Sequence, residues 1–355
     1  MSFGLRIKTL ICTILFGAFS MAVMLHYSAN KMIVIADTDM TQDAEVSDGE
    51  EETEPEFMEN ESEEPGELIL LENEEKTNYL CIPLPAGMKA ERIRMENHYM
   101  EKQLWVFLQD IPDNFYGNRA VSGNLDQIIA GDIEYQNEGV CLKFNLTDIY
   151  ECKSILENDY LYVEFVAPRE IYDKLIVIDA GHGGEDAGWG AEDLFEKDIT
   201  LDIVARLKEK LDESGIKVYY TRVGDENPSQ EDRIYLANAV KADMFISIHV
   251  NYNEEDSEQY GTETFYNSSF FIPGFGSVEL ADAVEREVVI SINGKGNGLL
   301  EADSECYVLQ NASVPAAQLK VGYLSNKQEA ILLGKEDYRQ RIADGIYNAI
   351  LKAYE

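Results

Sequence analysis

From Tyr172 onward, short apolar runs alternate with amphipathic segments, and two of those runs end in histidine. Leu175-Ile-Val-Ile leads into Asp179-Ala-Gly-His182-Gly-Gly, and Phe245-Ile-Ser-Ile leads directly into His249. A short apolar run of this kind reads as a strand buried on both faces, which belongs in a mostly parallel sheet covered by helices. The segments between the runs fit that layout. Residues 197–214 place Ile199, Ile203, Leu207 and Leu211 on one helical stripe, with Gly215 as the stop. Residues 217–221 and 244–249 read as strands. Residues 231–242, 281–290 and 335–354 read as helices. The expected fold over 173–355 is α/β, a mostly parallel sheet flanked by helices. Ligands collect at the carboxyl ends of strands in such sheets, and both histidines lie there. The other two histidines, His26 and His98, fall outside this half.

The rest of the chain divides by composition. Arg6 and Lys8 precede an apolar run from Thr9 to Leu25. It is long for the core of a cleavable signal peptide and just long enough to span a bilayer. Residues 9–27 are therefore expected to form a signal anchor, a single transmembrane helix, with residues 1–8 in the cytoplasm. This places the remainder outside the cell, tethered to the membrane, or secreted if the anchor is cleaved. Residues 28–67 are expected to be an acidic, disordered linker, because repelling carboxylates with little apolar area cannot offset chain entropy. Residues 68–168 read as a small β-rich domain, a sandwich or half-barrel. It shows no cluster of catalytic residue types, so its expected role is binding or spacing. The formal net charge of -38 excludes nucleic acid as a partner, since nothing could neutralise phosphates. The five cysteines have no metal-type spacing; Cys141 and Cys152 would pair only if neighbouring strands met.

Two strand-end imidazoles in one crevice are two of the three protein ligands that a catalytic zinc needs beside its open position. No third histidine remains in this half, so a carboxylate must complete the set. Glu196 is the best placed, at the start of the helix after the glycine-rich loop. Gly181, Gly183 and Gly184 would permit the close backbone approach required. Taken alone, Glu196 also reads as an ordinary carboxylate at a helix amino-terminus.

Asp179-Ala-Gly-His-Gly-Gly-Glu-Asp-Ala-Gly, Glu196-Lys-Asp-Ile, Thr221-Arg, Asp232-Arg, Ala237-Asn, Phe245-Ile-Ser-Ile-His-Val-Asn and Gly322-Tyr-Leu-Ser-Asn occur in that order. The ordered set resembles the zinc-dependent N-acetylmuramoyl-L-alanine amidases of the third amidase family, over about residues 173–355. That resemblance implies Zn2+ held by His182, Glu196 and His249. It implies peptidoglycan as the substrate, cut at the amide between N-acetylmuramic acid and L-alanine. It leaves any activating protein partner unidentified. A water activated by the metal would lose its proton to a second glutamate, two residues before the Gly-Tyr-Leu-Ser-Asn motif.

In this chain that position is Lys320. An ordinary lysine is protonated near neutral pH and accepts no proton. Beside a dication its pKa would fall and could free the amine; alternatively its charge could stabilise an oxyanion. The rival reading is a catalytically impaired amidase fold that binds peptidoglycan or regulates wall hydrolysis. A second departure is Gln310, where the family has arginine after a Tyr-Val-Leu strand. Glu301, Glu305 and Glu329 are the substitutes for the missing carboxylate. Arg222, Arg233 and Asn251 are expected as substrate-binding residues, against structural roles as an ion pair or a strand-end turn. Trp189 would either stack on a sugar ring or cap the glycine-rich loop.

Overall fold

The computed structural model describes residues 35–37, 66–72, 78–136, 139–268 and 273–355. The expected signal anchor and most of the acidic linker lie outside these residues. Among the described residues no helix is long and apolar enough to cross a membrane. The chain forms two units, one ending at Val166 and the next beginning at Ala167.

The first unit is a β-sandwich. One sheet has the order Ile35–Asp37, Ile93–His98, Gln103–Gln109, Gly139–Leu146, Ile128–Gln136 and Gly66–Glu67. The other runs Glu151–Glu157, Tyr160–Val166, Leu80–Pro83, Val121–Gly123 and Leu70–Glu72. Alternating residues of both, among them Leu104, Val106, Leu142, Phe144, Leu161 and Val163, meet in one buried core. Ile35–Asp37 and Gly66–Glu67 lie within the stretch expected as linker, yet they pair with Met95–Asn97 and with Asp132 and Ile133. Cys141 and Cys152 sit in different sheets and carry thiols.

The second unit is built on a six-stranded sheet. Its order is Lys217–Tyr220, Leu175–Ala180, Met244–Asn251, Ala316–Tyr323, Thr262–Tyr266 and Gly296–Glu301. The first four strands are parallel, as expected. Thr262–Tyr266 runs antiparallel to Ala316–Tyr323, so the sheet is mixed toward one edge. The helices Glu196–Leu211, Ser277–Ile292 and Glu336–Ala353 cover one face. Ile199, Ile203 and Leu207, Leu280 and Val284, and Ile342 and Ile346 pack there on Ile176, Ile178, Ile246 and Ile248. The Gln230–Ala239 helix lies against Leu175–Ala180, and its start is set by the Ser229 side chain accepting from the Asp232 amide.

Helix ends depart from the expectation where local caps take over. The Glu196–Leu211 helix stops one turn early, because the Ser214 hydroxyl donates to the Leu211 carbonyl and a turn then runs to Gly215. The Ser277–Ile292 helix begins four residues early, where the Glu279 carboxylate accepts from the Gly276 amide. Tyr307–Gln310 was expected as a strand and is one turn of helix instead. The Asp303 carboxylate accepts from the Glu305 and Cys306 amides just before it and turns the chain into that helix.

Candidate metal centre

His182, Glu196 and His249 arrive from three separate elements. His249 lies on the Met244–Asn251 strand. His182 follows the end of Leu175–Ala180, and Glu196 opens the helix behind the glycine-rich loop. Their ligand atoms all lie within 4.8 Å of one another. Glu196 Oε2 is 3.1 Å from His182 Nε2, and Glu196 Oε1 is 3.0 Å from His249 Nδ1. The two rings meet edge to face, with centroids 4.9 Å apart.

The carboxylate is fixed from behind. The Val250 amide donates to Glu196 Oε1 and the Trp189 amide to Oε2. Glu196 is only 1% exposed. Burial alone would raise its pKa, but the bonds and charges of His182 and His249 outweigh that and hold it well below the usual carboxylate range. Desolvation lowers the pKa of His182, and its contacts with Glu196 and Asp186 reverse that and raise it.

The loop around His182 is held in a costly shape. His182 itself has φ 61°, in the left-handed region that side chains avoid, a conformation worth roughly 1–3 kcal/mol of strain. Arg233 Nη2 donates to the His182 carbonyl, and Gly183 and Asp186 exchange two backbone bonds. His182 Nδ1 is 2.8 Å from Asp186 Oδ2, which directs the other ring nitrogen toward Glu196. Two glycines make room for the cluster. A Cβ on Gly181 would lie 2.3 Å from His249 Cε1, and one on Gly188 would lie 2.7 Å from both Glu196 Oε2 and His182 Cδ2. Asp186 and Gly188 stand in the quoted motif, but only the fold shows what they touch.

Arg222, Arg233 and Asn251, expected as substrate-binding residues or in structural roles, all make structural bonds here. Arg222 is 2% exposed and donates to the carbonyls of Ala180, Gly181, Lys197 and Gly224. Arg233 borders the cavity but is 4% exposed; it donates to Asp179 and to the carbonyls of Ala180, His182 and Pro228. Both guanidiniums therefore clamp the strand end that presents His182. Asn251 is outside the cavity lining; its side-chain nitrogen donates to Glu263 and its side-chain Oδ1 accepts from the Tyr252 amide. Trp189 stacks on Tyr252, with rings 4.9 Å apart at 12°.

The family profile for N-acetylmuramoyl-L-alanine amidase matches residues 176–352. A germination-specific N-acetylmuramoyl-L-alanine amidase of Bacillus subtilis is 31% identical over 196 residues, which cover 51% of this chain and 80% of that protein. This chain belongs to the N-acetylmuramoyl-L-alanine amidase family. The uncharacterized protein YqiI of Bacillus subtilis is 36% identical over 189 residues, covering 53% of this chain and 89% of that protein. The solved catalytic domain of the amidase CwlV from Bacillus (Paenibacillus) polymyxa var. colistinus aligns with 50% of this chain and 97% of that one, at 31% identity and a TM-score of 0.47.

The amidase domain opens a cavity of about 630 Å³ lined by His182, Glu196 and His249. Lys320 lines it from the neighbouring strand, directly opposite His249 in register. Its ammonium sits 4.8 Å over the Phe265 ring. Gln318, two residues earlier on the same face, lines the cavity too. The three substitute carboxylates separate cleanly. Glu305 lines the cavity, whereas Glu301 does not. Glu329 is buried elsewhere, accepting from the Gly261 and Tyr323 amides, with a pKa raised by burial. Gln310 is outside the cavity wall and donates to the Ala302 and Asp303 carbonyls, pinning the loop that carries Glu305.

Proposed function

We propose that this chain is a zinc-dependent hydrolase that cuts the amide between N-acetylmuramic acid and L-alanine in peptidoglycan. The convergence of His182, Glu196 and His249 in a domain of the amidase family supports the reading most directly. Two imidazoles and one carboxylate are the donor set of a catalytic zinc, with a position left for water or substrate. The donors fit the ion: their ligand atoms already converge, and Asp186 sets the orientation of His182 from the outer side. When bound, zinc polarises the scissile carbonyl and lowers the pKa of water. The chain's own residues do the rest. Arg222 and Arg233 hold the His182 strand end, and Gly181 and Gly188 let the ligands close in. Lys320 places a positive charge on the cavity wall, where an oxyanion would be stabilised.

The apolar run from Thr9 to Leu25, with Arg6 and Lys8 before it, supports a membrane anchor with the amidase domain outside the cell. The acidic stretch after it would keep the enzyme off the bilayer and within reach of the wall.

The test uses the full chain, loaded with zinc and given muropeptides, with release of stem peptide as the readout. The wild type should release peptide, and His182→Ala should lose both the metal and the activity. A zinc-loaded wild type that releases nothing would sink the proposal. A second reading rests on one observation, the lysine at the position where the family keeps its proton-shuttling glutamate. On that reading the chain binds zinc and peptidoglycan without turning over, and Lys320→Glu gains hydrolysis. Wild-type activity equal to that of the Lys320→Glu variant would end it.

A further inference from the structure

An amidase that has lost its strand-borne glutamate needs another group to take the proton from water. The cavity in front of the metal ligands is lined by five carboxylates: Asp179, Asp186, Glu196, Asp303 and Glu305. Four are committed. Asp179 is 1% exposed and accepts from Arg233, Thr221 and Ser247. Asp186 orients His182. Glu196 belongs to the metal ligand set. Asp303 caps the turn that follows it. Glu305 lines the cavity and is exposed, and its carboxylate has no hydrogen-bond or ion-pair partner among the described residues.

The residue after Glu305 touches the strand that carries Lys320. The neighbouring Cys306 Sγ lies 3.7 Å from Gln318 Oε1. Gln318 and Lys320 are two residues apart on one strand, so their Cα atoms are about 6.6 Å apart. Gln310 and Asp303 hold the loop at both ends. Glu305 on that loop and Lys320 on the strand therefore line one cavity.

We propose that Glu305 is the proton-transfer residue of this amidase, replacing in space the glutamate that Lys320 displaced in sequence. The inference rests on the amidase reading above. Water adds its oxygen to the scissile carbonyl carbon while the Glu305 carboxylate takes one of its protons. Glu305 then gives that proton to the alanine nitrogen as the C–N bond breaks. The muramoyl lactyl group leaves as a carboxylic acid and the stem peptide as an amine. The Lys320 ammonium faces the oxyanion of the addition step.

The experiment measures muropeptide hydrolysis by the zinc-loaded full chain. Glu305→Gln should lower kcat by about 100-fold or more, the usual contribution of a general base. Zinc content and melting temperature should stay at wild-type values, since the side chain is exposed and unpaired. In the same background, Lys320→Glu should recover at least about tenfold by returning a carboxylate to the strand. Formate should rescue Glu305→Ala. Glu301→Gln, outside the cavity, should match the wild type. An active wild type whose Glu305→Gln variant keeps its kcat overturns this assignment and leaves the amidase reading standing. A zinc-loaded wild type that binds muropeptide without cutting it overturns both.

Discussion

Gly181→Ala isolates the metal geometry from everything else in the fold. Gly181 does not occupy the left-handed region, so its backbone accepts alanine. Its amide donates to the Ile248 carbonyl, and its own carbonyl accepts from Thr200 and Arg222, so the backbone is held on both sides. The added methyl would stand 2.3 Å from His249 Cε1, 2.5 Å from Nε2 and 2.7 Å from Nδ1. Ordinary contact begins at 3.4 Å, so the ring must retreat by about 1 Å into the cavity. Metal–ligand distances tolerate only about 0.2 Å. Loss of an outer-shell partner alone lowers metal affinity about 10–100-fold, and losing the ligand itself should exceed that. The expected fall is at least about 100-fold, or about 2.8 kcal/mol. The metal-free fold should change far less. The lost His249–Glu196 bond costs about 1 kcal/mol, partly offset by roughly 0.4–1 kcal/mol from the stiffer unfolded chain. Zinc affinity by competition with a chromophoric chelator, beside thermal melts of metal-free protein, separates the two effects. Zinc binding within threefold of wild type would refute the steric argument.

Two further outcomes follow from groups around the site. Asp179→Asn leaves the buried Arg233 guanidinium without its counter-charge and should cost about 3–5 kcal/mol in urea unfolding of the second unit. Burial alone would raise the Asp179 pKa, but Arg233, Ser247 and Thr221 outweigh it and hold it below the ordinary value. Its ionised form therefore stabilises the fold above the unfolded value of about 3.9, and that contribution disappears as pH falls through the lower folded value. The gap between wild type and variant should shrink in strong acid; a gap of constant size would contradict this. Asp186→Ala removes the partner of His182 Nδ1 and should weaken zinc binding about 10–100-fold while leaving the melting temperature of metal-free protein nearly unchanged. Unaltered zinc affinity would mean that the backbone alone orients the ring.

The α/β character of residues 173–355 was legible because its central strands are continuous apolar runs and its helices carry one apolar stripe each. The strand Ala316–Tyr323 was harder to see. Gln318 and Lys320 interrupt its apolar residues, and they do so because one face of that strand looks into the cavity. Thr262–Tyr266 was masked for a related reason, since Thr262 and Thr264 are buried against Glu285 instead of among apolar side chains. The candidate metal set was half readable from the residues: the strand-end histidines stood out, while the motif order singled out Glu196 as their partner. The structural bonds of Arg222 and Arg233 could not be read ahead, because a sequence displays a guanidinium but not the carbonyls that converge on it.

The sequence by itself determined the central strands and the long helices of the second unit and which residue types lie at strand ends, because apolar periodicity and ligand chemistry are local properties of the chain. The family resemblance adds that Lys320 stands where a proton-shuttling glutamate is expected. Only the tertiary structure decided what surrounds that lysine. Glu301, Glu305 and Glu329 look equivalent along the chain. The fold puts Glu305 on the cavity wall, keeps Glu301 off it, and buries Glu329 against two amides. Distances between residues far apart in sequence come from packing, and a carboxylate acts only on atoms it can reach.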